Sequence, residues 1–137
     1  MRVYIIDGQG GGVGKTVIEK IRAKKSDLDI LAIGCNSLAT SAMLRAGAKF
    51  GATGENAIVY NSKVAEECDV IMGAVGIVCA NSFHGELSEK MASAISQSKA
   101  RKILIPTNKC NVFIGGTYRD SLNECIDQAV TLLFSLF

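Results

Sequence analysis

Short apolar runs and longer runs of helical period alternate along the chain. Val3-Tyr4-Ile5-Ile6 is a continuous apolar stretch closed by Asp7-Gly8, the pattern of a buried strand. Val13, Val17, Ile18 and Ile21 then recur at helical spacing, with Lys15, Glu19, Lys20 and Arg22 on the other side. A turn at Asp27 to Asp29 leads into a second strand, Ile30-Leu31-Ala32-Ile33. The pattern predicts a helix from about Leu38 to Ala46, stopped by Gly47, then a weaker third strand over Ala57-Ile58-Val59-Tyr60 and a short helix from Ser62 to Cys68. Val70-Ile71-Met72 reads as the fourth strand, and Leu87, Met91 and Ile95 mark the next helix. Lys102 to Ile105, closed by Pro106, is the fifth strand, and Val112-Phe113-Ile114 offers a short sixth. The last helix begins near Asp120 and carries Leu122, Ile126, Ala129, Val130, Leu133, Phe134 and Phe137 on one side.

Strands and helices alternating over short connections predict an α/β protein. The expected architecture is doubly wound and Rossmann-like: a mainly parallel five- or six-stranded sheet with helices on both faces, in one domain spanning residues 1–137. The apolar stripe of the last helix is wider than one sheet face needs. It predicts a homo-oligomer assembled through that helix.

Composition narrows the class of partner. A formal charge of +2 on 137 residues, with no run of like charge beyond Lys24-Lys25, predicts no nucleic-acid partner. The first apolar run is too short for a secretory leader, and no segment approaches the roughly 20 apolar residues of a membrane span. The five cysteines are odd in number and scattered, with no CxxC, which suits free thiols in a reducing cytoplasm and predicts no metal set.

The candidate chemistry lies in residues 5–21, IIDGQGGGVGKTVIEKI, where five glycines fall within the seven residues from Gly8 to Gly14. A phosphate loop of the nucleotide hydrolases needs G-x-x-x-x-G-K-[ST], with the lysine on terminal phosphates and the hydroxyl on magnesium. Gly14-Lys15-Thr16 ends that motif, but its first glycine is Gln9, and Gly10 stands where the partition-type variant has a lysine. Apart from Asp7, which belongs to the loop strand itself, no apolar strand ends in an aspartate to serve the metal, since Ile33, Met72 and Ile105 are followed by Gly34, Gly73 and Pro106. ATP with magnesium is therefore the alternative ligand. A dinucleotide turn needs glycines at the sharp bend, at the pyrophosphate and where helix meets strand. The strict G-x-G-x-x-G spacing fails, because from Gly8 its last position is Val13. The spacing G-x-x-x-G-x-G fits at Gly8, Gly12 and Gly14.

That spacing resembles the short-chain dehydrogenases, as does Asp69-Val70-Ile71-Met72-Gly73-Ala74-Val75-Gly76-Ile77, which is similar to their D-V-L-V-N-N-A-G-I segment. The resemblance implies NADP or NAD at the turn, with Gly73, Ala74, Val75 and Gly76 beside it. It covers the nucleotide-binding half, roughly residues 1–110. It does not extend to their Tyr-x-x-x-Lys pair, because Tyr4, Tyr60 and Tyr118 are followed four residues on by Gly8, Val64 and Leu122. Ala39-Thr40-Ser41-Ala42-Met43, Gly51-Ala52-Thr53-Gly54-Glu55-Asn56-Ala57 and Ile105-Pro106-Thr107-Asn108-Lys109-Cys110-Asn111, with the opening glycine loop, resemble an uncharacterised bacterial family of short standalone proteins. That resemblance implies a single cytosolic domain and brings no activity.

In a parallel sheet, ligands bind beyond the carboxyl ends of the strands. Candidate cofactor contacts are therefore Asp7, Gly8, Gln9, Gly10, Gly11, Gly12, Val13, Gly14 and Lys15 after the first strand, with Asn36 and Ser37 after the second. The second strand lacks the acidic residue expected at a ribose, about 20 residues past the loop. His84, the one histidine, and Glu86 are candidates for proton transfer, and Cys110 beside Lys109 for a nucleophile. These observations predict a cytoplasmic protein that binds a phosphorylated nucleotide. The alternatives are a non-enzymatic ligand sensor and a nucleotide hydrolase.

Overall fold

The computed structural model describes residues 1–24, 27–107, 109–116 and 120–136. Five strands form one parallel sheet: β1 (Val3–Asp7), β2 (Ile30–Gly34), β3 (Phe50–Thr53), β4 (Val70–Ala74) and β5 (Arg101–Ile105), in the spatial order β3-β2-β1-β4-β5. β1, β2 and β4 are buried along their whole length, which is why they read as unbroken apolar runs. Helices α1 (Gly12–Lys24), α2 (Ser37–Arg45) and α5 (Leu122–Ser135) cover one face. Helices α3 (Glu55–Val64) and α4 (Glu89–Gln97) cover the other. The alternation within each strand sorts the core: Val3, Ile5, Val70 and Met72 face α1 and α5, and Tyr4, Ile6 and Ile71 face α3 and α4. Burying each such aliphatic side chain contributes about 1.5–3 kcal/mol.

The chain order reverses at β1 and β4. Successive crossovers carry the chain from β1 outward to β3, and the next returns it to the far side of β1. The carboxyl ends of β1 and β4 flank this switch point, where open α/β sheets hold their ligands.

Three expectations require correction. The third strand is Phe50–Thr53, and residues 57–60 lie inside α3. Ile58, Val59 and Ser62 form that helix's buried face, and Gly54, at φ 97°, turns the chain into it. The true strand is a weakly apolar edge, Phe-Gly-Ala-Thr, with only Ala52 half-buried. Gly51 is required there, because a Cβ would come within 2.9 Å of the Leu44 and Thr40 side chains of α2. The helix expected over 62–68 is the end of α3, with Ala65 as its C-cap. Val112-Phe113-Ile114 is irregular, and Phe113 is 68% exposed, so no sixth strand occurs among the described residues.

The last helix uses its stripe at home. Cys125, Ile126, Ala129, Val130 and Leu133 are buried against the sheet, and the large apolar residues left exposed on it are Leu122 and Leu132. Phe137 lies outside the described residues.

Candidate functional site

The glycine loop is shaped by Asp7, the last residue of β1. Its carboxylate is buried and accepts hydrogen bonds from the backbone N–H of Gly8 (2.8 Å) and of Gly14 (2.6 Å). Asp7 thus ties the strand end to the first turn of α1. The glycines have different tasks. A Cβ at Gly14 would overlap the Met43 sulfur and sit 3.1 Å from Asp7 Oδ2, and one at Gly11 would lie 2.9 Å from the Ala39 backbone. These two let α2 close on the loop, and Gly11, at φ 73°, also makes its left-handed bend. Gly10 and Gly12 differ: a Cβ at either meets nothing within 4 Å.

The loop's N–H groups divide in the same way. Gly8 and Gly14 donate to Asp7, Gly11 donates to the Gly8 carbonyl and Lys15 to the Gly11 carbonyl, and Gln9 donates to Glu86. The N–H groups of Gly10, Gly12 and Val13 have no acceptor among the described residues. They sit at the open N-terminus of α1, where unpaired donors and the helix dipole favour an anion.

These donors border a cleft of about 620 Å³. It extends from the loop past Ala74 at the end of β4 and Pro106 after β5 to the start of α5. Phe83, Leu122 and Ile126 give it apolar walls, and Thr107 and Asp120 also line it. Lys15 does not line it. Its ammonium lies 4.0 Å from Glu19 on the exposed side of α1. Thr16 lines the cleft, but its hydroxyl donates back to the Gly12 carbonyl.

The segment after β4 folds over the loop. Val75–Val78 form a 3-10 turn, and Asn81, Phe83, His84 and Gly85 follow with φ between 56° and 86°. Ser82 donates from its hydroxyl to the Gly76 carbonyl (2.5 Å), and Leu87 is fully buried beneath the turn. Phe83 and Glu86 press on Gly8, where a Cβ would lie 2.8 Å from the ring and 2.7 Å from Glu86 Oε1. Gly73 is also a packing glycine, since a Cβ there would be 2.6 Å from the Ile6 carbonyl oxygen.

Glu86 bridges to the end of β2. Oε1 accepts from the Gln9 N–H at 2.7 Å, and Oε2 accepts from Asn36 Nδ2 at 2.8 Å. The same Asn36 amide donates to the Gln9 carbonyl at 2.9 Å, and its Oδ1 caps α2 by accepting from the Ala39 N–H. Ser37 is the first residue of that helix and, like Asn36, lies off the cleft lining. With both oxygens held by donors, Glu86 is a tether. His84 is exposed and borders a second cleft of about 650 Å³ with Cys79, Cys110 and Gln9. His84 and Glu86, the two candidates for proton transfer, therefore stand in different surroundings. Cys110 is exposed, and Asn108 with the Lys109 side chain lies outside the described residues. The Cys35 thiol is pushed up to about 12 by burial, and then by the charges of Glu86 and Asp7. Among the described residues, no group of three or more His, Cys, Asp or Glu is placed to hold a metal ion, and no helix is long and apolar enough to cross a membrane.

A parallel sheet in the order β3-β2-β1-β4-β5, with a glycine turn from β1 into α1 at the switch point, defines a Rossmann-like α/β protein. The chain belongs to the family described as Domain of unknown function (DUF3842), whose model matches residues 2–137. No curated protein matches its sequence. Among solved structures it is similar to the dodecameric FMN-dependent UbiX-like decarboxylase from Escherichia coli O157:H7, with a TM-score of 0.52 and 10% identity, over 98% of this chain and 93% of that one. At that identity the likeness is one of fold. The comparisons do not show the resemblance to short-chain dehydrogenases.

Proposed function

We propose that this is a cytosolic single-domain protein that binds a phosphorylated mononucleotide cofactor of the flavin type in the cleft beside the glycine loop. The observation that carries this reading is the set of unspent N–H groups of Gly10, Gly12 and Val13, at two glycines with free space where a Cβ would stand. A terminal phosphate fits such donors, because each bond to an anion is charge-assisted and the helix dipole adds to it. The apolar walls at Ala74, Phe83, Pro106 and Ile126 suit a flat ring, and Asp120 and Thr107 suit hydroxyls between ring and phosphate. The decarboxylase of similar fold is described as FMN-dependent.

The extended dinucleotides, NADP and NAD, fit this geometry less well. Their second half needs the end of β2, where Asn36 and Gln9 are bonded to Glu86 and to each other. ATP with magnesium lacks the lysine its motif requires, since Lys15 faces Glu19 outside the cleft. Titration with FMN, followed by flavin fluorescence and by thermal unfolding, tests the reading. FMN is expected to bind and to raise the unfolding midpoint by several degrees at 100 times its dissociation constant, equivalent to about 2.7 kcal/mol. A shift with NADP or with Mg-ATP but none with FMN overturns it. A homo-oligomer also belongs to this reading, given the dodecameric neighbour, and light scattering that gives a monomer contradicts that part.

A further inference from the structure

We propose that Glu86 is a specificity-determining residue that confines the site to mononucleotides and excludes dinucleotides; this rests on the mononucleotide reading of the cleft. In a Rossmann-type dinucleotide site the pyrophosphate follows the glycine turn, and the second ribose lies against the first residues after β2. Here those places belong to Gln9 and Asn36. Glu86 reaches both, with Oε1 2.7 Å from the Gln9 nitrogen and Oε2 2.8 Å from Asn36 Nδ2. The Asn36 amide closes the ring at the Gln9 carbonyl, 2.9 Å away.

This arrangement opposes a second nucleotide half in three ways. The Gln9 N–H and the Asn36 amide, the donors that would meet pyrophosphate and ribose, already have acceptors. A carboxylate stands where a second phosphate, or the 2′-phosphate of NADP, would bring like charge. Space is also lacking, since Glu86 Oε1 lies 2.7 Å from where a Cβ on Gly8 would be. The other direction stays open. The Gly10, Gly12 and Val13 donors border the cleft running toward β4, β5 and α5, whose lining includes neither Asn36 nor Glu86. Glu86 thereby selects by obstructing one class of ligand, without touching the other.

The tether comes from a strained turn. Phe83 and His84 both hold φ near 56° in succession, a region that costs such side chains free energy and that they keep only where their surroundings fix it. Leu87, buried beneath the turn, and the Ser82 bond to the Gly76 carbonyl supply that constraint, so the carboxylate is presented at a fixed place.

The experiment compares FMN, FAD, NAD and NADP on the full chain, as wild type, Glu86→Gln and Glu86→Ala, with circular dichroism and unfolding midpoints to verify the fold. The readout is the ratio of dinucleotide affinity to FMN affinity. The wild type is expected to prefer FMN over FAD and NADP by at least tenfold. In Glu86→Ala the ratio is expected to rise at least tenfold. Glu86→Gln keeps an acceptor for Gln9 and loses the charge, so its gain is expected to be smaller for NAD than for NADP. A ratio unchanged within threefold in Glu86→Ala while FMN still binds overturns the inference and leaves the cleft reading standing. So does a wild type that binds FAD as tightly as FMN. A wild type that does not bind FMN overturns the cleft reading itself, and this inference with it.

Discussion

Gly12 and Gly14 lie two residues apart in one loop, and the structure asks opposite things of them. Gly14→Ala would drive a methyl into the Met43 sulfur and toward Asp7, so it is expected to lower stability by about 1–3 kcal/mol, the usual cost of overpacking. Gly12→Ala meets open space and starts a helix, so stability is expected to hold or rise slightly. Its methyl would stand beside the free donors, and FMN affinity is expected to fall at least tenfold. Thermal unfolding and flavin titration of the two variants separate these effects; equal behaviour of the pair would contradict the division of labour. The sequence reveals that the loop is glycine-rich, but which glycines serve packing depends on Met43 and Ala39, about 30 residues away.

Cys35 gives a second residue-scale test. Its thiol is pushed up from the ordinary 9.0 to about 12, because burial and then the charges of Glu86 and Asp7 oppose the thiolate. A raised folded value means that the native state holds this proton more tightly than the unfolded state does. The resulting stabilisation is complete below about pH 9 and is lost as pH rises toward 12. Denaturant unfolding across that window is expected to show a smaller alkaline loss in Cys35→Ala than in wild type. At pH 8 the exposed Cys68 and Cys110 are expected to react first with a thiol reagent, with Cys35 and the buried Cys125 lagging. Fast labelling of Cys35 would contradict the burial.

At the scale of elements, strand and helix signals are legible where burial is complete and misleading where it is partial. β1, β2 and β4 are buried throughout and read directly as apolar runs. β3 is an edge with small residues, and the adjacent apolar cluster at Ala57 to Tyr60 draws the strand assignment into what is a helix. The turn after β4 is the more consequential omission. Its contacts join residues 77 and 50 positions apart, Glu86 to Gln9 and Asn36 to Glu86, and no local pattern carries such pairings. Asn36 is both the cap of α2 and a member of that tether. Asn36→Ala is expected to cost about 1 kcal/mol for the cap, and somewhat more because Glu86 loses a donor. A midpoint unchanged from wild type would show that neither bond contributes.

Across the whole molecule, the doubly wound order brings the ends of β1, β4 and β5 to one edge and sets the N-termini of α1 and α5 beside them. The position of a site at this edge follows from strand order, which is why it is legible before any side chain is placed. Its direction is not. The strand pattern alone allows a ligand to run from the loop toward β2, as dinucleotides do, or toward β5. In the proposed site that choice falls to Glu86, bonded to Asn36 on one side, and to the cleft lined by the start of α5 on the other.

The most direct measurement follows the backbone amides by nitrogen-edited NMR during FMN titration. The largest shifts are expected at Gly10, Gly12 and Val13, whose N–H groups are free to meet the phosphate. Gly8 and Gly14 should move little, because Asp7 keeps their protons. Largest shifts at residues 79–84 around the second cleft, or no response at the three free amides, would contradict it.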